Sequence, residues 1–321
     1  MPSAPPVLPG ASNSIKPNPE SEEGAQTHGA VTPKTMNTLQ LEHISYLYSA
    51  GTPYEMRALD DVSLTIHGGK VTGLIGHTGS GKSTLVQLLN GLNRPTEGRV
   101  LMDGVDIWEK PREIARLRYR VGLVMQYPEY QLFEETVRAD IAYGPKNMGL
   151  SPEEVEARVT EAAEFAGITP EMLDQSPFDL SGGQKRRAAI AGIMAMRPEV
   201  LVLDEPAAGL DPQGRDEILG GIRAYREKSG SAVIIVSHSM EDMARYCDEL
   251  IVMADAKLFM QGTCEEIFSH PEELASVGLD VPQITRVAQL LRKRGLALPE
   301  SIYTVEQAAE ALRWLMGGEG R

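Results

Sequence analysis

Gly76–His77–Thr78–Gly79–Ser80–Gly81–Lys82–Ser83 is the stretch on which the fold turns. It fits the spacing GxxxxGK[ST], and its surroundings give that spacing meaning. Lys70–Ile75 before it reads as a short apolar strand, and Thr84–Leu92 after it has helical character. Glycines let backbone N–H groups converge on phosphate oxygens with no Cβ in the way. The helix start that follows adds roughly half a positive charge. Lys82 is predicted to reach the β and γ phosphates of a nucleotide. Ser83 is predicted to offer its hydroxyl to Mg²⁺, a cation that takes hard oxygen ligands. Gly76, His77, Thr78, Gly79, Ser80, Gly81, Lys82, Ser83 and Thr84 are thus the predicted nucleotide-binding loop. Without its neighbours the octapeptide is only a glycine-rich turn.

Outward from the loop, Val200–Leu203 and Val233–Val236 are short continuous apolar runs. Such runs suit central strands covered on both faces in an α/β sheet. The first ends in two acids, Asp204 and Glu205. Carboxylates at the carboxyl end of a parallel strand stand where open α/β sheets bind ligands. Asp204 is placed to hold Mg²⁺ through water, and Glu205 to orient or deprotonate an attacking water. Leu39, Leu41, Ile44, Tyr46 and Tyr48 suggest a first strand, and Val62, Leu64 and Ile66 alternate in a second. Ser151–Pro152–Glu153–Glu154 and Thr304–Val305–Glu306–Gln307 read as capping boxes that open helices.

Composition bounds the rest. The chain has 321 residues, 42% of them hydrophobic, which allows one large domain or two modest ones. Thirty-one Lys and Arg face 45 Asp and Glu, a net charge of −14. A nucleic-acid binder usually shows the opposite sign, so no nucleic acid is predicted as partner. Two cysteines, Cys247 and Cys264, show no metal or disulfide spacing. No run reaches the roughly 18–20 apolar residues of a membrane span, so a soluble or peripheral protein is predicted. Residues 1–37, rich in Pro, Ser, Gly and Glu, read as a disordered tail. Residues from about 272 onward read as a small helical appendix. Its amphipathic stripes hold Ile284, Val287, Ala288 and Leu291, then Val305, Ala309, Leu312 and Leu315. Such stripes cover either a private core or a dimer contact.

Leu180–Ser181–Gly182–Gly183–Gln184 gives the loop a family. The pentapeptide resembles the signature of the ABC ATPases, and it precedes the Asp204–Glu205 strand by one helix length. The resemblance, over roughly residues 38–270, implies an α/β P-loop NTPase core with an antiparallel β subdomain and an α-helical signature subdomain. It implies an ABC ATPase domain at 38–271, with the helical part at about 127–190, and a C-terminal helical appendix at 272–321. Gln126 resembles the Q-loop glutamine that touches Mg²⁺ and communicates with the membrane subunit. Gly209–Leu210–Asp211 resembles the D-loop, His238 the switch histidine near the γ-phosphate, and Tyr48 the aromatic that stacks on adenine, with Tyr46 as its rival. Two such domains face each other head to tail, so each ATP lies between the loop of one subunit and the Ser181-type residues of the other.

Gly51–Thr52–Pro53–Tyr54–Glu55–Met56–Arg57–Ala58–Leu59, the His77-bearing loop and Pro128–Glu129–Tyr130–Gln131–Leu132–Phe133–Glu134–Glu135–Thr136–Val137 narrow the branch. They are similar to the ATPases of energy-coupling factor (ECF) transporters, most of all to the second A component. That resemblance implies a partner ATPase, a transmembrane T component and exchangeable S components that capture vitamins or transition-metal ions. The chain would act at the cytoplasmic face of the cell membrane, in contact with it through partners only. Competing readings are an ATPase of another ABC importer or exporter, and a soluble ABC ATPase of DNA repair or translation. The second sits badly with one compact unit and no sustained heptads.

Overall fold

The computed structural model describes residues 39–316. The predicted tail at 1–37 lies outside them. Ten described strands run in chain order: β1 (Leu39–Tyr48), β2 (Met56–Ile66), β3 (Val71–Gly76), β4 (Glu97–Met102), β5 (Val105–Asp106), β6 (Val121–Val124), β7 (Val200–Asp204), β8 (Ala232–Val236), β9 (Glu249–Ala254) and β10 (Lys257–Thr263). They form two sheets. An antiparallel sheet has the order β2-β1-β4-β5, and a six-stranded one the order β10-β9-β3-β8-β7-β6. In the second sheet β9, β3, β8, β7 and β6 are parallel, and β10 closes one edge antiparallel to β9.

The central strands β3, β7 and β8 are apolar and buried on both faces, as parallel strands covered by helices must be. The register brings their ends level: Val236 stands between Leu74 on one side and Asp204 on the other, and Val124 pairs with Leu203. Four loops therefore leave one edge of the sheet together, after Gly76, Val124, Asp204 and Val236. Ligands of open α/β sheets bind at that edge.

The helix after β3 spans Lys82–Leu89. It begins earlier than the apolar pattern suggested because the loop feeds into it directly. It ends earlier because Gly91, at φ 66°, turns the chain into the left-handed region. Between β6 and β7 the chain builds helices Val137–Asn147, Pro152–Phe165 and Gly182–Met194, packed on one another. Ser151 caps the second of these by accepting from the Glu154 amide at 3.2 Å. The reciprocal half of the expected capping box is not made, because the Glu154 carboxylate accepts from Arg158 at 2.9 Å instead. At Thr304 the full box forms.

Helix Pro271–Ser276 contributes Leu274 to the main core, and Val281 joins it. Helices Gln283–Lys293 and Val305–Leu315 share a small cluster of their own around Ala288, Leu298, Ile302 and Ala308. Three members of the predicted stripes do not join it: Val287 is 47% and Val305 66% exposed, and Ala309 is half-buried outside the cluster. Each stands at the margin of its helical face. Among the described residues no helix is long and apolar enough to cross a membrane.

Candidate active site

The loop between β3 and its helix owes its shape to glycines at two close approaches. A Cβ on Gly76 would stand 2.4 Å from the Met253 carbonyl oxygen, and one on Gly81 2.5 Å from that of Ala58. Gly81 is also held at φ 102°, where other residues are strained. Inside the loop the Lys82 ammonium donates to the carbonyls of Gly76 at 2.6 Å and His77 at 3.0 Å. Ser83, Thr78 and Gly79 are exposed, while Ser80 and Thr84 are buried. The His77 ring lies 3.7 Å from the Asp255 carboxylate in the β9–β10 turn.

At the carboxyl end of β7, Asp204 and the following Glu205 lie near Lys82. Burial pushes the Asp204 carboxyl up, against the pull of the Lys82 ammonium. Burial first, then the neighbouring Asp204, raises Glu205 to about 7, while Lys82 pulls the other way. Burial lowers the Lys82 pKa, and the two carboxylates oppose that shift. Glu205 sits at φ 52°, a conformation that costs a non-glycine residue on the order of 1–2 kcal/mol. Its amide donates to the Val236 carbonyl at 3.0 Å, and its carbonyl accepts from Ala208 at 3.2 Å. These bonds hold the carboxylate toward His238, whose Nε2 is 3.6 Å from Oε1. Burial and the nearby Lys82 lower the His238 pKa, which favours the neutral ring.

Gln126 follows β6 and is exposed. The Tyr48 hydroxyl and Thr84 Oγ1 are 3.1 Å apart, so this ring lies beside the loop helix. Tyr46 packs against the core below and meets Tyr48 edge-on at 4.9 Å. The two tyrosines thus differ: Tyr48 reaches the loop helix, while Tyr46 packs on the core. Asp211 caps helix Pro212–Ser229, accepting from the Gly214 amide at 2.7 Å.

The signature stands differently. Leu180 is buried and anchors it, but Ser181 and Gly182 are exposed. Ser181 and Gln184 close a capping box on the helix they begin. A Cβ on Gly182 would meet nothing within 4 Å. The residues brought together within this chain are therefore the loop, Asp204, Glu205, His238 and Tyr48. The sequence reading gave no role to Arg186, which is buried and paired with Glu129. Its signal was an arginine placed four residues before Ile190, on a row that otherwise carries apolar side chains.

A parallel sheet whose loops converge this way, with a signature helix inserted before the acidic strand, is the arrangement of an ATP-binding-cassette (ABC) ATPase. Residues 59–208 match the family described as ABC transporter. An energy-coupling factor transporter ATP-binding protein, EcfA2, of Caldanaerobacter subterraneus subsp. tengcongensis is 54% identical over 87% of this chain and 98% of its own length. The EcfA2 of Symbiobacterium thermophilum is 51% identical over 86% of this chain and 96% of its own length. Among solved structures, cbiO1 from Clostridium perfringens, part of the cbiONQ ABC transporter complex, superposes with a TM-score of 0.67. It is 38% identical, over 79% of this chain and 98% of its own. The cassette MJ0796, dimeric and bound to ADP and Pi in a post-hydrolysis state, gives 0.63 at 27% identity, over 70% of this chain and 98% of its own. The chain belongs to the EcfA2 family of energy-coupling factor transporter ATP-binding proteins.

Proposed function

We propose that this chain is one of two ATP-hydrolysing subunits of an ECF-type importer. It drives uptake of vitamins or transition-metal ions through a transmembrane T component and S components, at the cytoplasmic face of the membrane. The reading assigns the ATPase domain to 38–271, with its helical part at about 127–190, and a C-terminal appendix to 272–321. The observation that carries it is the pairing of a finished nucleotide cradle with a signature that faces outward. ATP phosphates lie in the amides of Gly79 to Ser83 against Lys82, and adenine lies on Tyr48. Ser181 and Gly182 address the nucleotide of a partner ATPase, and Asp211 lies at that interface.

The site also fits Mg²⁺. The hydroxyl of Ser83, the carboxylate of Asp204 and the amide oxygen of Gln126 are hard oxygen donors. Two buried oxygens, Ser80 Oγ and Glu205 Oε1, have no hydrogen-bond partner among the described residues, as expected of groups that await a polar ligand. When bound, the ion supplies charge neutralisation to the phosphates. Glu205 orients the attacking water and accepts its proton, and His238 stands beside it as the residue nearest the γ-phosphate.

The exposed aromatic rings of Tyr127, Tyr130, Phe133 and Tyr143, among Glu134 and Glu135, form the face that receives the T component. Exposed aromatic pairs of this kind mark an interaction site. Glu205→Gln tests the core of the reading. In the assembled complex it is expected to lower ATP turnover by about a hundredfold or more and leave ATP binding intact. An unchanged rate sinks the assigned role. Co-purification without any polytopic membrane protein sinks the transport reading.

A further inference from the structure

Arg186 lies in the signature helix, yet only 5% of it is exposed. A guanidinium is stable at such a position only when it is paired and hydrogen-bonded. Its Nε and Nη2 donate to both oxygens of Glu129, at 3.1 and 2.9 Å, and its Nη1 donates to the Ala208 carbonyl. Glu129 belongs to the short 3₁₀ turn Pro128–Gln131 just after Gln126. Ala208 belongs to the loop that begins at Glu205, and its own amide donates to the Glu205 carbonyl at 3.2 Å. One planar group thus joins three segments far apart in sequence.

We propose that Arg186 is a positioning residue that couples the segment after Gln126 to the loop carrying Glu205 and Asp211, so that displacement of Glu129 is passed to the water-orienting carboxylate. The guanidinium fork is rigid and bidentate, so it cannot follow one partner and keep the other unless all three move together. If Glu129 moved alone, a buried cation would be left without its carboxylate. Another tie from the signature helix, Arg187 to Glu217 of helix Pro212–Ser229 at 2.5 Å, is partly exposed and weaker. Burial alone would raise the Glu129 carboxyl, but the Arg186 hydrogen bonds and charge bring it below its ordinary value, so it stays ionised. The proposal rests on the function proposed above only in that the segment after Gln126 meets the membrane subunit. Through Arg186, docking there would govern hydrolysis.

Amide hydrogen exchange of the full chain without nucleotide tests the link directly. Glu129→Gln keeps the shape of the side chain and removes its charge. The amides of Ala208 and Leu210, bonded to the carbonyls of Glu205 and Ala207, are expected to exchange about tenfold faster. The Leu85 amide, bonded to the Gly81 carbonyl in the nucleotide loop, is expected to be unmoved. Unchanged exchange at Ala208 and Leu210 overturns the proposal. Arg186→Lys keeps the charge but not the fork, so its effect should fall between wild type and Arg186→Met. In the Arg186→Met background, Glu129→Gln should add nothing; independent, additive effects overturn the link. In the assembled complex Glu129→Gln is expected to lower kcat about tenfold at constant KM for ATP, whereas a rise in KM alone counts against it. The exchange experiment needs no partner, so failure to find a membrane subunit removes only the docking role.

Discussion

Around Lys82 the chain folds inward, and around Ser181 it faces out. Lys82 is 7% exposed, its ammonium gripped by two carbonyls and faced by two carboxylates. Ser181 and Gly182 are exposed, and their geometry is fixed by a capping box beside the buried Leu180. The first half depends on tertiary structure: positions 76 and 81 must be glycine because Met253 and Ala58 approach them closely. The second half is prepared locally, since a capping box needs only four consecutive residues. Such a helix start keeps its amide donors in shape whether or not anything is bound. The contrast places the perturbed ionisations in the inward half, with Glu205 at about 7. Under the function proposed above, the contrast is a division of labour: one chain grips and hydrolyses, and the facing chain completes.

The largest expected effect comes from Gly182→Asp, which attacks the outward half alone. A carboxylate in the first turn favours the helix by about 0.3–1 kcal/mol, and the position has open space. The fold should be as stable as before or slightly more so. The same charge repels a nucleotide phosphate presented by the partner. Hydrolysis in the dimer should fall by about a hundred- to a thousandfold, while the isolated chain binds ATP normally. Thermal melts, binding and turnover measured side by side check it. A lower melting temperature, or weaker ATP binding by the single chain, breaks the comparison of the two halves.

The inward half is probed by pH. In the folded protein Glu205 rises from the ordinary 4.5 to about 7, chiefly through burial and then through Asp204. The folded state therefore holds a proton that the unfolded chain releases between those values. The contribution is fully present below pH 4.5, declines across the window and is lost as pH passes 7. Glu205→Gln has no such titration. Without nucleotide the variant should gain on the wild type between pH 4.5 and pH 8, by at most about 3 kcal/mol. Urea unfolding at the two pH values measures it. A stability difference that is flat with pH contradicts the raised ionisation.

What was legible in the sequence follows the same contrast. Motifs whose chemistry is local, such as the loop at 76–83, the Asp204–Glu205 strand end and the Ser181 cap, could be read from consecutive residues. The structure sets Tyr48 rather than Tyr46 beside the loop, a distinction invisible in the sequence because the two lie on one face of a strand. Arg186 was hidden for a different reason. Its partners Glu129 and Ala208 are 57 and 22 positions away, and only packing brings them together. The missing reciprocal bond at Ser151 is a local matter instead: Arg158, one helical turn on from Glu154, competes for its carboxylate.

Gly81→Ala strikes the inward half as Gly182→Asp strikes the outward one, but through shape. The new Cβ would stand 2.5 Å from the Ala58 carbonyl oxygen and 2.8 Å from a Leu59 methyl, on a backbone held at φ 102°. A loss of about 2–3 kcal/mol is expected, with ATP binding by the single chain falling as well. Equal stability of Gly81→Ala and Gly182→Asp would erase the distinction between a tertiary and a local half.

The smallest effect separates two roles of one side chain. Tyr48→Phe removes only the hydroxyl that faces Thr84 Oγ1 at 3.1 Å, an interaction of about 0.5–1.5 kcal/mol. Bound ATP gives Thr84 phosphate oxygens as alternative partners, so the affinity of the single chain should weaken by less than about threefold. Tyr48→Ala removes the aromatic face as well and should weaken ATP by about tenfold. Tyr46→Ala is the control that makes the pair informative. Its ring packs on the core cluster and touches Tyr48 edge-on, so its loss should lower stability more than affinity. Titration of ATP into the three variants, with a melt of each, gives both quantities. If Tyr46→Ala weakens ATP more than Tyr48→Ala does, the adenine platform lies one strand position deeper than proposed, and the inward half reaches further into the antiparallel sheet.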